Sequence, residues 1–133
     1  MVDDIQVHCK IPSADVVVTV TVCDSVAAVF QKYFYLRIFY NSITMEKREE
    51  IDGAAAITVR LDKRVGNSLY HMVLLDDVSE QVVVHECFHL VMRIMGDKQG
   101  VNVVSQSANE EMYAYLLGEV YKIINSVYKG YKR

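Results

Sequence analysis

Residues 82 to 96 read VVVHECFHLVMRIMG, an apolar run fit for a protein core that nevertheless carries two histidines and a glutamate. Its hydrophobic positions recur with the period of an α-helix. Asp77 followed by Glu80 resembles a capping box with Asp in the Ser/Thr position, and Gly96 stands where a C′ glycine belongs. The sequence therefore predicts one helix over about residues 78 to 95, roughly 27 Å long. A helix of that length spans a small domain, and the rest of the chain must be built against one side of it.

The remainder supplies strands and a second long helix. Ile5, Val7, Cys9 and Ile11 alternate with Gln6, His8 and Lys10, which is the period of a half-buried strand. PSAD turns the chain, and VVVTVTV follows with Val18, Val20 and Val22 on one face and Thr19 and Thr21 on the other, so the two segments predict a hairpin. Asp24 is placed to cap a helix running to about Tyr35, with Val26, Val29, Phe30 and Tyr33 on one side. LRIFYNSIT reads as extended, and the charged run EKREE as a solvated loop or short turn. AAAITVRL and SLYHMVLL, joined by DKRVGN, predict a second hairpin. DKQGVNVVSQ reads as a loop. Ser107 and Glu110 form an S-x-x-E capping box that opens a last helix ending near Tyr128. Strands, helix, strands and then two long helices make an α+β fold with a mixed or antiparallel sheet, in one domain over residues 1–133.

Charge and composition narrow the function classes. A net charge of −3 gives no broad basic face, so nucleic acid is not an expected partner. The first ten residues have neither a positive n-region nor a long apolar h-region, and no apolar run approaches the ~20 residues of a membrane span. Cys9, Cys23 and Cys87 are odd in number and lack CxxC spacing, which suits a reduced chain. The expectation is a cytoplasmic protein with no membrane association.

His85 and His89 lie four apart on the long helix, so their imidazoles stand one turn apart over one patch. That is the separation at which two nitrogens can share one zinc ion at ~2.0–2.1 Å. Glu86 projects about 60° from His89 and can reach a water on the metal without being a ligand. H-E-x-x-H is this geometry written in sequence. Two histidines bonded to backbone carbonyls would look similar in sequence, but a carboxylate and two rings in an apolar wall are costly without a partner. A third protein ligand is needed if the fourth position is to stay open.

The His85-Glu86-x-x-His89 motif, with SANEEMYAYLLGEV on the helix after it, resembles the glutamate zincins (gluzincins) over residues from about 68 to 120. In that family a second helix brings a Glu followed three residues later by a small residue. Glu111-Met112-Tyr113-Ala114 has that spacing, whereas Glu110 follows an Asn, Asn109, which is another family habit. Glu111 is favoured, since Glu110 can cap the helix at Ser107 and a small-residue stripe of Ala114 and Gly118 would let this helix approach the motif helix. Tyr115 stands where the family has an acidic residue. Lacking a large second domain, the chain is most similar to minimal zincins: ImmA/IrrE-type regulatory peptidases, the SprT-like group, and short HExxH proteins encoded in phage genomes.

The resemblance implies a zinc metallopeptidase with Zn2+ on His85, His89 and Glu111, Glu86 as general base, and a peptide or protein as substrate. An edge of SLYHMVLL would pair with that peptide. The alternative is a non-catalytic, zinc-stabilised binding or virion-associated protein that retains the motif. His71 reads as a strand-surface histidine with a possible oxyanion role, Cys87 as a small core residue, and Tyr113 or Tyr115 as candidate oxyanion donors.

Overall fold

The computed structural model describes residues 4–99 and 107–131 of the chain. Four strands, β1 (Ile5–Ile11), β2 (Val16–Cys23), β3 (Ala56–Val65) and β4 (Ser68–Leu75), form one mixed sheet in the order β1-β2-β4-β3. β1 pairs with β2 and β3 with β4 antiparallel, so both expected hairpins form. They are joined by a parallel pairing of β2 with β4. The fold is α+β.

Three short helices follow β2: α1 (Val26–Lys32), α2 (Phe34–Ser42) and α3 (Met45–Asp52). Ser25, not Asp24, caps α1, its side chain accepting the Ala28 N–H at 3.2 Å. Tyr33, in extended backbone, breaks α1 from α2. The stretch expected to be extended is thus helical. Its aromatic and β-branched residues favour strand locally, but one helical face buries Leu36 and packs Phe39 and Tyr40 into the core. Gln6 on β1 also donates to the Tyr35 hydroxyl at 2.8 Å, tying α2 to the sheet. The charged run is helical too. Thr44 caps α3 by accepting the Lys47 N–H at 3.2 Å, Ile51 is buried, and the charges of Glu46, Lys47, Glu49 and Glu50 face solvent.

The last two helices are α4 (Glu80–Gln99) and α5 (Ser107–Tyr131). The Ser79 side chain accepts the Val82 N–H at 3.3 Å, so the cap at the start of α4 falls to Ser79 and not to Asp77. The helix continues through Gly96 because the turn beyond it is anchored. Asp97 Oδ2 accepts from Arg60 Nε at 2.6 Å and from the Tyr70 hydroxyl at 2.5 Å. The Ser107 side chain lies outside the described residues, as does the segment expected to be a loop from residue 100 onward.

Helices cover both faces of the sheet. Val18, Val20, Val22, Met72 and Leu74 face α4 and α5, where they meet Val83, Cys87, Leu90, Ile94, Val120 and Ile124. Cys23, Val59, Leu61 and Val73 face α1, α2 and α3. Thr19 and Thr21, expected on an open face, are therefore fully covered. Each such buried aliphatic side chain contributes about 1.5–3 kcal/mol, which holds α4 against the sheet. Among the described residues no helix is long and apolar enough to cross a membrane.

Candidate metal centre

α4 turns its apolar side to the sheet, and His85 and His89 occupy the opposite side. Val83, Cys87, Leu90, Val91 and Ile94 are buried, whereas both histidines are exposed. Their rings meet edge to face with centroids 4.5 Å apart, and the two Nε2 atoms are 3.0 Å apart. Two nitrogens sharing one tetrahedral zinc at ~2.0–2.1 Å stand roughly 3.3 Å apart. The pair thus has nearly the spacing of two zinc ligands, a contact that one Nε2–H donating to the other satisfies equally. Phe88 sets its ring edge-on to His89 at 5.9 Å and to Tyr113 of α5 at 5.5 Å, bracing the pair on the α5 side.

Glu86 lies on the flank of α4 that faces β3. It is only 7% exposed, and its Oε1 accepts the Thr58 hydroxyl at 2.8 Å. The same hydroxyl lies 3.3 Å from the Glu86 backbone carbonyl. Glu86 opens on a cleft of about 330 Å³. α4 forms one wall with Glu86, His89 and Arg93; Ile57, Thr58 and Val59 of β3 form the floor; Lys47, Glu50 and Ile51 of α3 form the other wall. The structure thus sets His85 against His89, and Glu86 shares its cleft with His89 but not with His85.

It does not bring Glu111 to them. Glu111 lines a separate groove of about 390 Å³ with Ser13, Ala14, Ile94, Met95 and Lys98. Among the described residues no group of three His, Cys, Asp or Glu could hold a metal ion. Outside those residues the sequence has only Asp3 of these types. The small-residue stripe faces solvent: Ala114 and Gly118 are exposed, and a Cβ built on Gly118 would meet nothing within 4 Å. The α5 side that meets α4 runs instead through Tyr113, which touches Phe88, and Tyr121, whose hydroxyl donates to Glu80. Glu110 precedes Tyr113 by three residues and Tyr121 by eleven, so helical periodicity puts it on this stripe, while Glu111 is turned about 100° further round. By that periodicity Glu110, and not Glu111, is on the α5 side that carries Tyr113 and Tyr121, while Glu111 shares its groove with Ile94, Met95 and Lys98 of α4.

The remaining candidates resolve differently. His71 is not on a surface. It is 2% exposed on the sheet face away from α4, its ring centroid is 5.0 Å from that of Tyr35, and neither ring nitrogen has a hydrogen-bond partner. Burial, aided by the nearby His8, pushes its pKa down to about 4. SLYHMVLL cannot pair with a peptide, because β4 is a central strand bonded on both sides. The free edge beside the motif helix belongs to β3. Cys87 is buried, and burial with Glu86 beside it pushes its thiol up to about 12. Cys9, Cys23 and Cys87 are all free thiols. The Tyr113 hydroxyl is buried without a partner, whereas Tyr115 is exposed. Thr58 and Arg93 were not singled out in sequence. A threonine in a strand carries no signal, but Arg93 stands four residues beyond His89 and seven beyond Glu86, a spacing that places it on the Glu86 flank.

Comparison with known proteins returns no matching family model, no matching curated sequence and no matching solved structure.

Proposed function

We propose that this chain is a zinc-dependent peptidase of the minimal zincin kind, with His85 and His89 holding the ion and Glu86 acting as general base. The observation that carries the reading is the placement of the two Nε2 atoms 3.0 Å apart, on the helix that also turns the Glu86 carboxylate into a cleft. Zinc held there would polarise a water and bring its pKa towards ~7. Glu110, on the α5 side that meets α4 by helical periodicity, is the carboxylate proposed to complete the ligand set when zinc binds, in place of the Glu111 favoured by spacing, since without the ion the described residues assemble no third ligand.

The chain's own residues would supply the rest. The Thr58 hydroxyl holds Glu86 Oε1, which leaves Oε2 as the oxygen that takes a proton from water and later passes it to the leaving amine. Among the described residues β3 is an edge strand that lines the cleft, so an extended peptide could add to the sheet as a further strand.

A second reading has an observation in its favour. The described residues assemble no third ligand, whereas a catalytic zinc needs three from the protein, which favours a non-catalytic binding protein that keeps the motif. Retention of a base held at the cleft favours turnover, since a structural zinc site needs none. The deciding experiment incubates the chelator-treated protein, then the same protein reloaded with zinc, with a mixture of unstructured peptides and follows new termini by mass spectrometry. Cleavage that appears only with zinc supports the peptidase. Stoichiometric zinc without cleavage supports the binding protein.

A further inference from the structure

We propose that Arg93 is the carboxylate-binding residue of the cleft between α4 and β3, so that the peptides it takes carry a carboxylate about three residues from the bond placed beside Glu86. The inference rests on the peptidase reading for the direction in which a peptide lies.

Glu86 and Arg93 are seven residues apart on α4, hence about 20° apart around the helix and roughly 10 Å apart along it. Both line the same cleft. An extended chain on the β3 edge advances about 3.3 Å per residue, so about three residues separate a group at Glu86 from one at Arg93. Ile51, Ile57 and Val59 belong to the apolar lining of the same cleft.

The cations around the cleft are not equivalent. Lys47, on the opposite wall, is paired with Glu50 at 3.4 Å. Arg60, outside the cleft lining, is paired with Asp97 at 2.6 Å. Arg93 makes no hydrogen bond or ion pair with any described residue. It lies close enough to Asp97 to help hold that carboxyl below its usual range, but Asp97 Oδ2 already accepts from Arg60 and Tyr70. A guanidinium with no hydrogen-bonded acid among the described residues, beside a backbone-pairing edge, is suited to a planar, two-oxygen acceptor from outside the chain. A free peptide C-terminus and an Asp or Glu side chain both present that acceptor.

Equilibrium binding tests the assignment without turnover, in full-length chain carrying Glu86→Gln and loaded with zinc. The probes are three fluorescein-labelled hexapeptides read by anisotropy: Gly-Val-Leu-Ala-Val-Ala with a free C-terminus, the same chain as an amide, and an amide with Glu as its fifth residue. At least one carboxylate probe is expected to bind on the order of tenfold or more tightly than the neutral amide, and which of the two does so identifies the source of the carboxylate. Arg93→Met should abolish the preference and Arg93→Lys should keep part of it. Because Arg93 is exposed and makes no hydrogen bond or ion pair with a described residue, neither change should move the urea midpoint appreciably, which guards against misfolding as the cause. Equal binding of carboxylate and amide, a preference that survives Arg93→Met, or no binding by any probe overturns the assignment. Absence of cleavage by wild-type protein, with the Arg93-dependent preference intact, would overturn the peptidase reading and leave this one standing.

Discussion

Thr58 on β3 donates its hydroxyl to Glu86 on α4 at 2.8 Å, and both residues are buried. This bond engages Oε1 of the glutamate and ties the side chain to β3. Thr58→Val keeps the shape but strips a buried carboxylate of its donor, so it should cost about 1–3 kcal/mol of stability. Thr58→Ser should restore most of that loss. Urea unfolding of the two variants checks it, and equal midpoints for Val and wild type would show that water replaces the hydroxyl freely.

Zinc affinity should separate the two glutamates that open α5. Glu110 shares its helix side with Tyr113, whose ring meets Phe88 of α4, while Glu111 lines the groove beside Ser13 and Lys98. Glu110→Ala is expected to weaken zinc binding at least on the order of 10–100-fold, the loss seen for residues that merely support a ligand. Glu111→Ala should leave it near wild type. Competition titrations with a zinc chelator measure both, and the reverse order would return the ligand to Glu111.

What could be read from the sequence follows from where local and distant forces agree. The motif helix was legible because its apolar period and its polar positions point to one helix with one buried side. Both hairpins were legible from alternation and turn residues. α2 was not, since Phe34–Ser42 is rich in strand-favouring residues and becomes helical only through Leu36, Phe39 and the Gln6–Tyr35 bond. The end of α4 was missed because Gly96 signals a stop that Arg60 and Tyr70 override from β3 and β4. The rotation of α5 is set by contacts such as Tyr113 on Phe88, and spacing alone does not encode it. That is why the pairing of His85 with His89 was legible and the place of Glu111 was not.

Gly96→Ala should raise stability. The position is interior to α4, and a Cβ there would meet nothing within 4 Å. The expected gain is about 0.5–1 kcal/mol, measured by thermal or urea unfolding. A loss would mean that α4 bends at this residue.

His71 should make the fold sensitive to acid. The folded protein resists protonating this ring until about pH 4, whereas the unfolded chain takes up the proton near the ordinary value of 6.5. The unfolded state thus binds more protons in that interval, so this contribution is complete above pH 6.5 and is lost as the pH falls towards 4. The loss is on the order of 3 kcal/mol. His71→Leu removes two ring nitrogens that have no partner, so it should be neutral or stabilising at pH 7. Its advantage over wild type should widen by pH 5. Parallel urea curves at the two pH values test this, and identical pH dependence in both proteins would contradict it.

The most direct test of the site as a whole is zinc stoichiometry and peptide cleavage measured on the same samples of wild type and Glu86→Gln. Glutamine keeps the shape and an oxygen for Thr58 but cannot take a proton at neutral pH. The account predicts about one zinc per chain in both proteins, set by His85 and His89, with cleavage lower in the variant by ~10²–10⁴. Unchanged cleavage would remove Glu86 from the chemistry, and wild-type protein that holds no zinc would contradict the account outright.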